Sequence, residues 1–165
     1  MEYLISDAHF SPDEKYRYWL KRIWDTSKPV LNSVGLNPSK AGKKTDDPTI
    51  KREVGLAFSL GYGGLCKYNL FAKVTPNPKR LGPPEIDPIG PENDLFLFTL
   101  AEVLADTVFC WGSWNGRAPG FKVRADELRK IFTDAHKQVY CFGTNQDGEP
   151  KHPLYLPSDA KLIRY

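Results

Sequence analysis

Apolar and polar positions along the chain alternate between two kinds of pattern. Val30-Leu31-Asn32-Ser33-Val34 is a short, mostly apolar run and predicts a buried strand over 30–36. Asp47-Pro48 then reads as a helix N-cap with proline at the first helical position, and the helix runs to about Leu60 and stops at Gly61. Leu65 to Phe71 predicts a second strand. Residues 72–91 hold six prolines and no periodicity. A helix opens near Pro91-Glu92 and runs to about Ala105. Thr107-Val108-Phe109-Cys110-Trp111 predicts a third strand, ended by Gly112, and a helix follows over 121–135. Gln138-Val139-Tyr140-Cys141-Phe142 predicts a fourth strand, and a last short one falls at 161–164. Ahead of residue 30, aromatic and basic residues mix in Tyr16-Arg17-Tyr18-Trp19-Leu20-Lys21-Arg22-Ile23-Trp24, which reads as an N-terminal strand or hairpin.

Strand-helix alternation of this kind predicts an α/β domain with a parallel sheet and helices on both faces, a three-layer α/β/α sandwich. With right-handed crossovers and the first strand at the centre, four mostly parallel strands take the order 2-1-3-4. The proline-rich stretch 72–91 is long for a structureless connection, which marks it as a lid or substrate-facing loop as readily as a fixed surface link.

At 165 residues the chain reads as one domain with room for a real core. No apolar run approaches a membrane span, and Met1 to Asp7 lack the pattern of a signal peptide. The expectation is a cytoplasmic, monomeric protein with no membrane partner. Cys66, Cys110 and Cys141 are odd in number and widely spaced, so they read as buried free thiols rather than a disulfide or metal site. A net charge of +3 does not by itself identify a nucleic-acid partner.

Candidate chemistry gathers in two turns. Gly35-Leu36-Asn37-Pro38-Ser39 lies at the C-terminal edge of the first predicted strand, where open α/β sheets place their ligands. Pro150-Lys151-His152-Pro153-Leu154 is a second polar turn. The pair predicts two loops converging on one cleft, an amide on one side and an imidazole on the other. Lys40, Lys43, Lys44, Lys51 and Arg52 flank the first turn, Arg117, Lys122 and Arg124 follow the third strand, and Lys151 adjoins His152. Positive charge on three loops at one sheet edge suits a phosphate backbone; a solvated basic face is the plain alternative. The loop Trp111 to Arg117 interleaves aromatics with Arg117 and could stack a base, although Trp111 itself reads as core. Asp46 and Asp47 could form a water-activating pair, but Asp47 is more simply the helix cap.

Several of these segments carry a resemblance. Gly35-Leu36-Asn37-Pro38-Ser39 resembles the first motif of the mismatch-specific branch of the uracil-DNA glycosylase superfamily. Leu65-Cys66-Lys67-Tyr68-Asn69-Leu70-Phe71 resembles the strand whose asparagine reads the base, Val108 to Ser113 the third strand with its glycine exit, and His152-Pro153-Leu154 the late His-Pro-Ser motif. Within that superfamily the chain resembles an uncharacterised bacterial and phage family, the domain of unknown function numbered 1643. The resemblance spans residues 30–157 and implies a uracil-DNA-glycosylase-like fold that hydrolyses the N-glycosidic bond of a pyrimidine or modified pyrimidine in DNA, without a cofactor. Leu154 departs from the family's phosphate-gripping serine, no wedge loop follows it, and Asn37 stands where the most active branch has aspartate.

Cleaving such a bond needs an oriented water, a stabilised leaving base and a base taken out of the stack. Asn37 would orient the water through its amide oxygen, and His152 would donate a hydrogen bond to the departing base. Asn69 would pair with the base edge, Ser39 belongs to the same turn as Asn37, and Phe58 echoes a stacking phenylalanine while also fitting a helix core. Lys40, Lys43, Lys44, Arg117 and Lys151 would touch DNA phosphates. No lysine stands out in an apolar setting, so water rather than an imine-forming amine is the expected nucleophile. Two other readings stay open: a non-catalytic nucleic-acid or nucleotide binder on the same fold, and a hydrolase of free nucleosides or nucleotides.

Overall fold

A computed structural model describes residues 1–81, 87–113 and 118–165. Seven strands form one mixed sheet in the order β1-β2-β4-β3-β5-β6-β7. β1 (Ile5–Phe10) and β2 (Arg17–Ile23) form the N-terminal hairpin, and β2 pairs antiparallel with β4 (Gly64–Asn69). β4, β3 (Val30–Gly35), β5 (Thr107–Phe109) and β6 (Tyr140–Cys141) run parallel, and β7 (Ile163–Arg164) closes the far edge antiparallel to β6. The expected four-stranded sheet is therefore corrected to seven strands. The hairpin extends the β4 edge through main-chain pairing that the mixed aromatic and basic pattern of β2 did not reveal.

Alternation along the central strands sends side chains to two faces. Leu31, Leu65 and Val108 pack against Ile50, Val54, Leu56 and Ala57 of α1 (Pro48–Ser59). Val34 and Phe109 point the other way, onto Leu97, Leu100 and Ala101 of α2 (Asn93–Glu102) and Phe121, Ala125, Leu128 and Phe132 of α3 (Phe121–Asp134). Burying a side chain such as Leu128 or Phe132 contributes about 1.5–3 kcal/mol each. Truncating Leu128 to alanine would cost about 2–5 kcal/mol through the cavity left behind.

α1 begins as its sequence predicts. The Asp47 carboxylate accepts from the Ile50 N–H at 3.0 Å, Pro48 occupies the first turn, and Gly61 beyond the helix takes a left-handed φ of 88°. The cap fixes the entry of α1 at the C-terminal end of β3, where the cleft opens. Of the stretch 72–91, a 3-10 turn spans Pro78–Leu81, and the backbone of Ala72 and Lys73 bonds to Ile89 and Pro88. Residues 82–86 and 114–117 lie outside the described residues, and with them Trp114 and Arg117. Among the described residues no helix is long and apolar enough to cross a membrane. All three cysteines are free and buried.

Candidate active site

A cleft of about 200 Å³ opens at the C-terminal ends of β3, β4 and β5. Asn37 and Ser39 reach it from the turn after β3, Asn69 from the last position of β4, and His152 from the turn before the 3-10 helix Pro153–Tyr155. Arg17, Lys67 and Trp111 complete its inner wall, and Thr75, Pro76 and Pro78 of the proline-rich stretch form part of the rim. The two polar turns thus face a common space, together with Asn69.

The Asn-Pro turn is held by its own side chain. Asn37 Nδ2 donates to the carbonyls of Pro38 at 2.9 Å and Thr75 at 2.8 Å. The Thr75 N–H returns a bond to Pro38 at 3.0 Å. With both amide protons committed to carbonyls, Asn37 cannot flip without losing them, so its Oδ1 is fixed as an acceptor.

His152 caps the 3-10 turn. Its Nδ1 accepts from the Leu154 N–H at 3.3 Å, so in the neutral form of the ring the proton sits on Nε2, where it can donate. The backbone at Gly112, φ 85°, passes close beneath it: a β-carbon at 112 would stand 3.1 Å from the His152 Cβ. The ring also borders an adjoining cavity of about 350 Å³ lined by Ser113, Asn145 and Lys151.

The floor is charged and buried. Lys67 Nζ donates to Glu53 Oε1 at 2.5 Å and to Cys110 Sγ at 3.4 Å, and Ser33 Oγ donates to Glu53 Oε2 at 2.8 Å. The Lys67 and Glu53 side chains are only 4% and 3% exposed. Register explains the cluster: Ser33 lies opposite Lys67 and Gly35 opposite Asn69, all on the face covered by α1. Burial opposes the Lys67 ammonium, but the facing Cys110 and Glu53 groups outweigh it and hold the lysine above its ordinary pKa. Burial pushes the Cys110 thiol up to about 12, which disfavours the nucleophilic thiolate at neutral pH. Arg17, buried in β2, is lowered to about 10 by burial and remains charged. Its Nη1 donates to the Ala41 carbonyl at 2.6 Å.

Other sequence-predicted residues fall elsewhere. Phe58 is not part of the cleft. It sits 55% exposed on the last turn of α1, its ring 6.4 Å from Trp24, because Leu56 and Ala57 take the positions facing the sheet. Lys40, Lys43 and Lys44 are exposed on the loop between β3 and α1 and do not line the cleft, and Lys43 pairs with Asp7 at 3.6 Å. Lys151 lines the adjoining cavity. Arg124 is not a surface cation: it is buried, donates to the Leu70 carbonyl at 2.9 Å and pairs with Asp94. Asp46 is held by Arg22 at 2.8 Å and the Tyr3 hydroxyl at 2.6 Å, a structural role. Trp111 is core, its Nε1 donating to Glu149 at 2.7 Å, and also touches the cleft. Arg17, Lys67 and Glu53 were not predicted. The available signal was a lysine between Leu65 and Asn69 on the inward phase of a strand, facing a helix that carries Glu53.

Among the described residues no group of three or more His, Cys, Asp or Glu is placed to hold a metal ion. No curated protein and no solved structure matches the chain. A family described as "Protein of unknown function (DUF1643)" matches residues 17–154, a stretch that contains every residue lining the cleft. The chain therefore belongs to the DUF1643 family.

Proposed function

We propose that this protein is a monofunctional DNA glycosylase that hydrolyses the N-glycosidic bond of a pyrimidine or modified pyrimidine base. The observation that carries the reading is that Asn37, Asn69 and His152, from segments far apart in sequence, line one cleft at the C-terminal edge of the parallel strands. Within the seven-stranded mixed sheet, β4, β3, β5 and β6 lie side by side and run parallel, so the cleft sits at the end of a parallel segment. Ligands of open α/β sheets gather at this edge.

In this reading a flipped base enters with its edge toward Asn69. The fixed Oδ1 of Asn37 accepts a hydrogen bond from a water and aims its oxygen at C1′. The C1′–N bond breaks, its electron pair leaves with the base, and the water oxygen bonds to C1′ and loses a proton to solvent. Nε2 of His152 donates to the base oxygen on which negative charge develops. Lys67 is a paired ammonium rather than a free amine, which favours water over an imine-forming amine as nucleophile.

The test is incubation with DNA carrying normal, deaminated and bulky modified pyrimidines, followed by an assay for abasic sites. Abasic sites in one class of oligonucleotide support the reading. A free-nucleoside hydrolase draws support from the small volume of the cleft, and turnover of monomers with none on oligonucleotides would select it. Binding of DNA without turnover on either would select a non-catalytic binder.

A further inference from the structure

Two hydrogen-bond donors among the cleft residues have no acceptor among the described residues: Arg17 Nε and Asn69 Nδ2. Both side chains are buried, 2% and 1% exposed. A buried donor left unpaired is costly, and a fold that keeps two of them beside a cleft has a use for them. On Arg17 the bond to Ala41 occupies Nη1. That leaves Nε unpaired among the described residues, on the edge of the guanidinium fork that it shares with Nη2.

The neighbouring carboxylates already hold partners. Glu53 takes Lys67 on one oxygen and Ser33 on the other, and Asp47 takes the Ile50 N–H. Formal charges balance, with Arg17 and Lys67 against Glu53 and Asp47, so the wall carries no net negative field to repel an anion. Its imbalance is in hydrogen bonding: the fully buried cleft atoms left without a partner among the described residues, Arg17 Nε and Asn69 Nδ2, are both donors. Two parallel N–H groups of a guanidinium match two oxygens of one carboxylate or phosphate.

We propose that this wall of the cleft is an oxyanion-binding site, in which the Arg17 Nε–Nη2 edge grips two oxygens of a carboxylate or phosphate and Asn69 Nδ2 supplies a further donor. The site goes beyond glycosidic hydrolysis, since it names what the ligand carries whatever bond is cleaved. Two sources share this chemistry: a carboxylate on a planar ring, and a phosphate.

The test is calorimetric titration of the full chain, without DNA, using orotate, inorganic phosphate and uracil at matched ionic strength. Orotate or phosphate is expected to bind saturably at one site at least about tenfold more tightly than uracil, the effect of one charge-assisted hydrogen bond. Preference for orotate assigns a ring carboxylate, and preference for phosphate assigns a phosphate source. Asn69→Asp replaces the donor with an acceptor of the same shape and is expected to weaken oxyanion binding by at least about tenfold. Should that variant not fold, Arg17→Lys keeps the charge, loses the fork, and is expected to weaken binding to a similar degree. Equal affinity for uracil and both oxyanions, no saturable binding of either oxyanion, or undiminished affinity in a folded variant overturns the proposal. None of these outcomes bears on abasic-site formation, which tests the glycosylase reading separately.

Discussion

Gly35 lies directly against the Lys67 ammonium: a β-carbon at position 35 would stand 2.6 Å from Lys67 Nζ and 3.2 Å from Asn69 Oδ1. The glycine that opens the Gly-Leu-Asn-Pro-Ser turn thus makes room for a buried ion pair on the neighbouring strand. A free lysine end would swing away cheaply, but this one is tied to Glu53 and Cys110. Gly35→Ala is expected to destabilise the fold by about 1–3 kcal/mol, the usual cost of overpacking a filled interior. Denaturant unfolding measures it, and an unchanged midpoint would mean that Lys67 can relocate.

Lys67→Met removes one partner of a buried pair and strands the Glu53 carboxylate. The expected loss is about 3–5 kcal/mol, while the double variant Lys67→Met, Glu53→Gln recovers much of it because no uncompensated charge remains. Equilibrium unfolding of both variants checks this. Equal losses for single and double would show that packing rather than charge dominates.

Alkaline stability follows from Cys110. Its folded pKa is raised from about 9 to about 12, first by burial. A raised pKa means the contribution is fully present below about pH 9, where neither state ionises, and is lost between about 9 and 12 as the unfolded thiol ionises first. Cys110→Ala should therefore flatten the fall of stability with pH in that window by up to about one proton. Unfolding midpoints across the window measure the slope, and an unaltered slope would show that other groups carry it.

Much of the frame was legible in the sequence. The Val30 run, the Asp47-Pro48 start and the glycine stops at 61 and 112 follow from local chemistry, since each depends on residues within a turn of itself. The edge strands were less so. β2 buries Arg17 and Arg22, whose carbonyl and carboxylate partners on the loop at 41–46 come from about 20 residues away. Nothing in their local pattern separates such arginines from surface cations. Lys67 hid for the same reason, its partner lying on α1. Phe58 misled in the opposite sense: helical spacing admits a large aromatic there, and only docking against the sheet shows that Leu56 and Ala57 occupy the inner face.

DNA binding should depend steeply on salt if the exposed lysines meet phosphates. Removing Lys40, Lys44 or Lys151 is expected to lower the log–log slope by about 0.7–0.9 each. Lys43 should matter less, because Asp7 already faces it at 3.6 Å. Titrations over a range of salt give the slopes, and salt-independent binding would point to a small-molecule substrate.

Single-turnover hydrolysis by the Asn37 and His152 variants tests the central claim most directly, using whichever modified oligonucleotide yields abasic sites. His152→Ala should slow the chemical step by roughly 10²–10³, the range for losing one charge-stabilising donor. Asn37→Ala should be at least as damaging while leaving DNA affinity nearly intact, since water positioning acts on the transition state. Asn37→Asp should retain or raise the rate, because a carboxylate accepts the water's proton and stabilises positive charge on the sugar. An unchanged rate in Asn37→Ala would contradict the account and reduce the Asn-Pro turn to a structural hinge between β3 and α1.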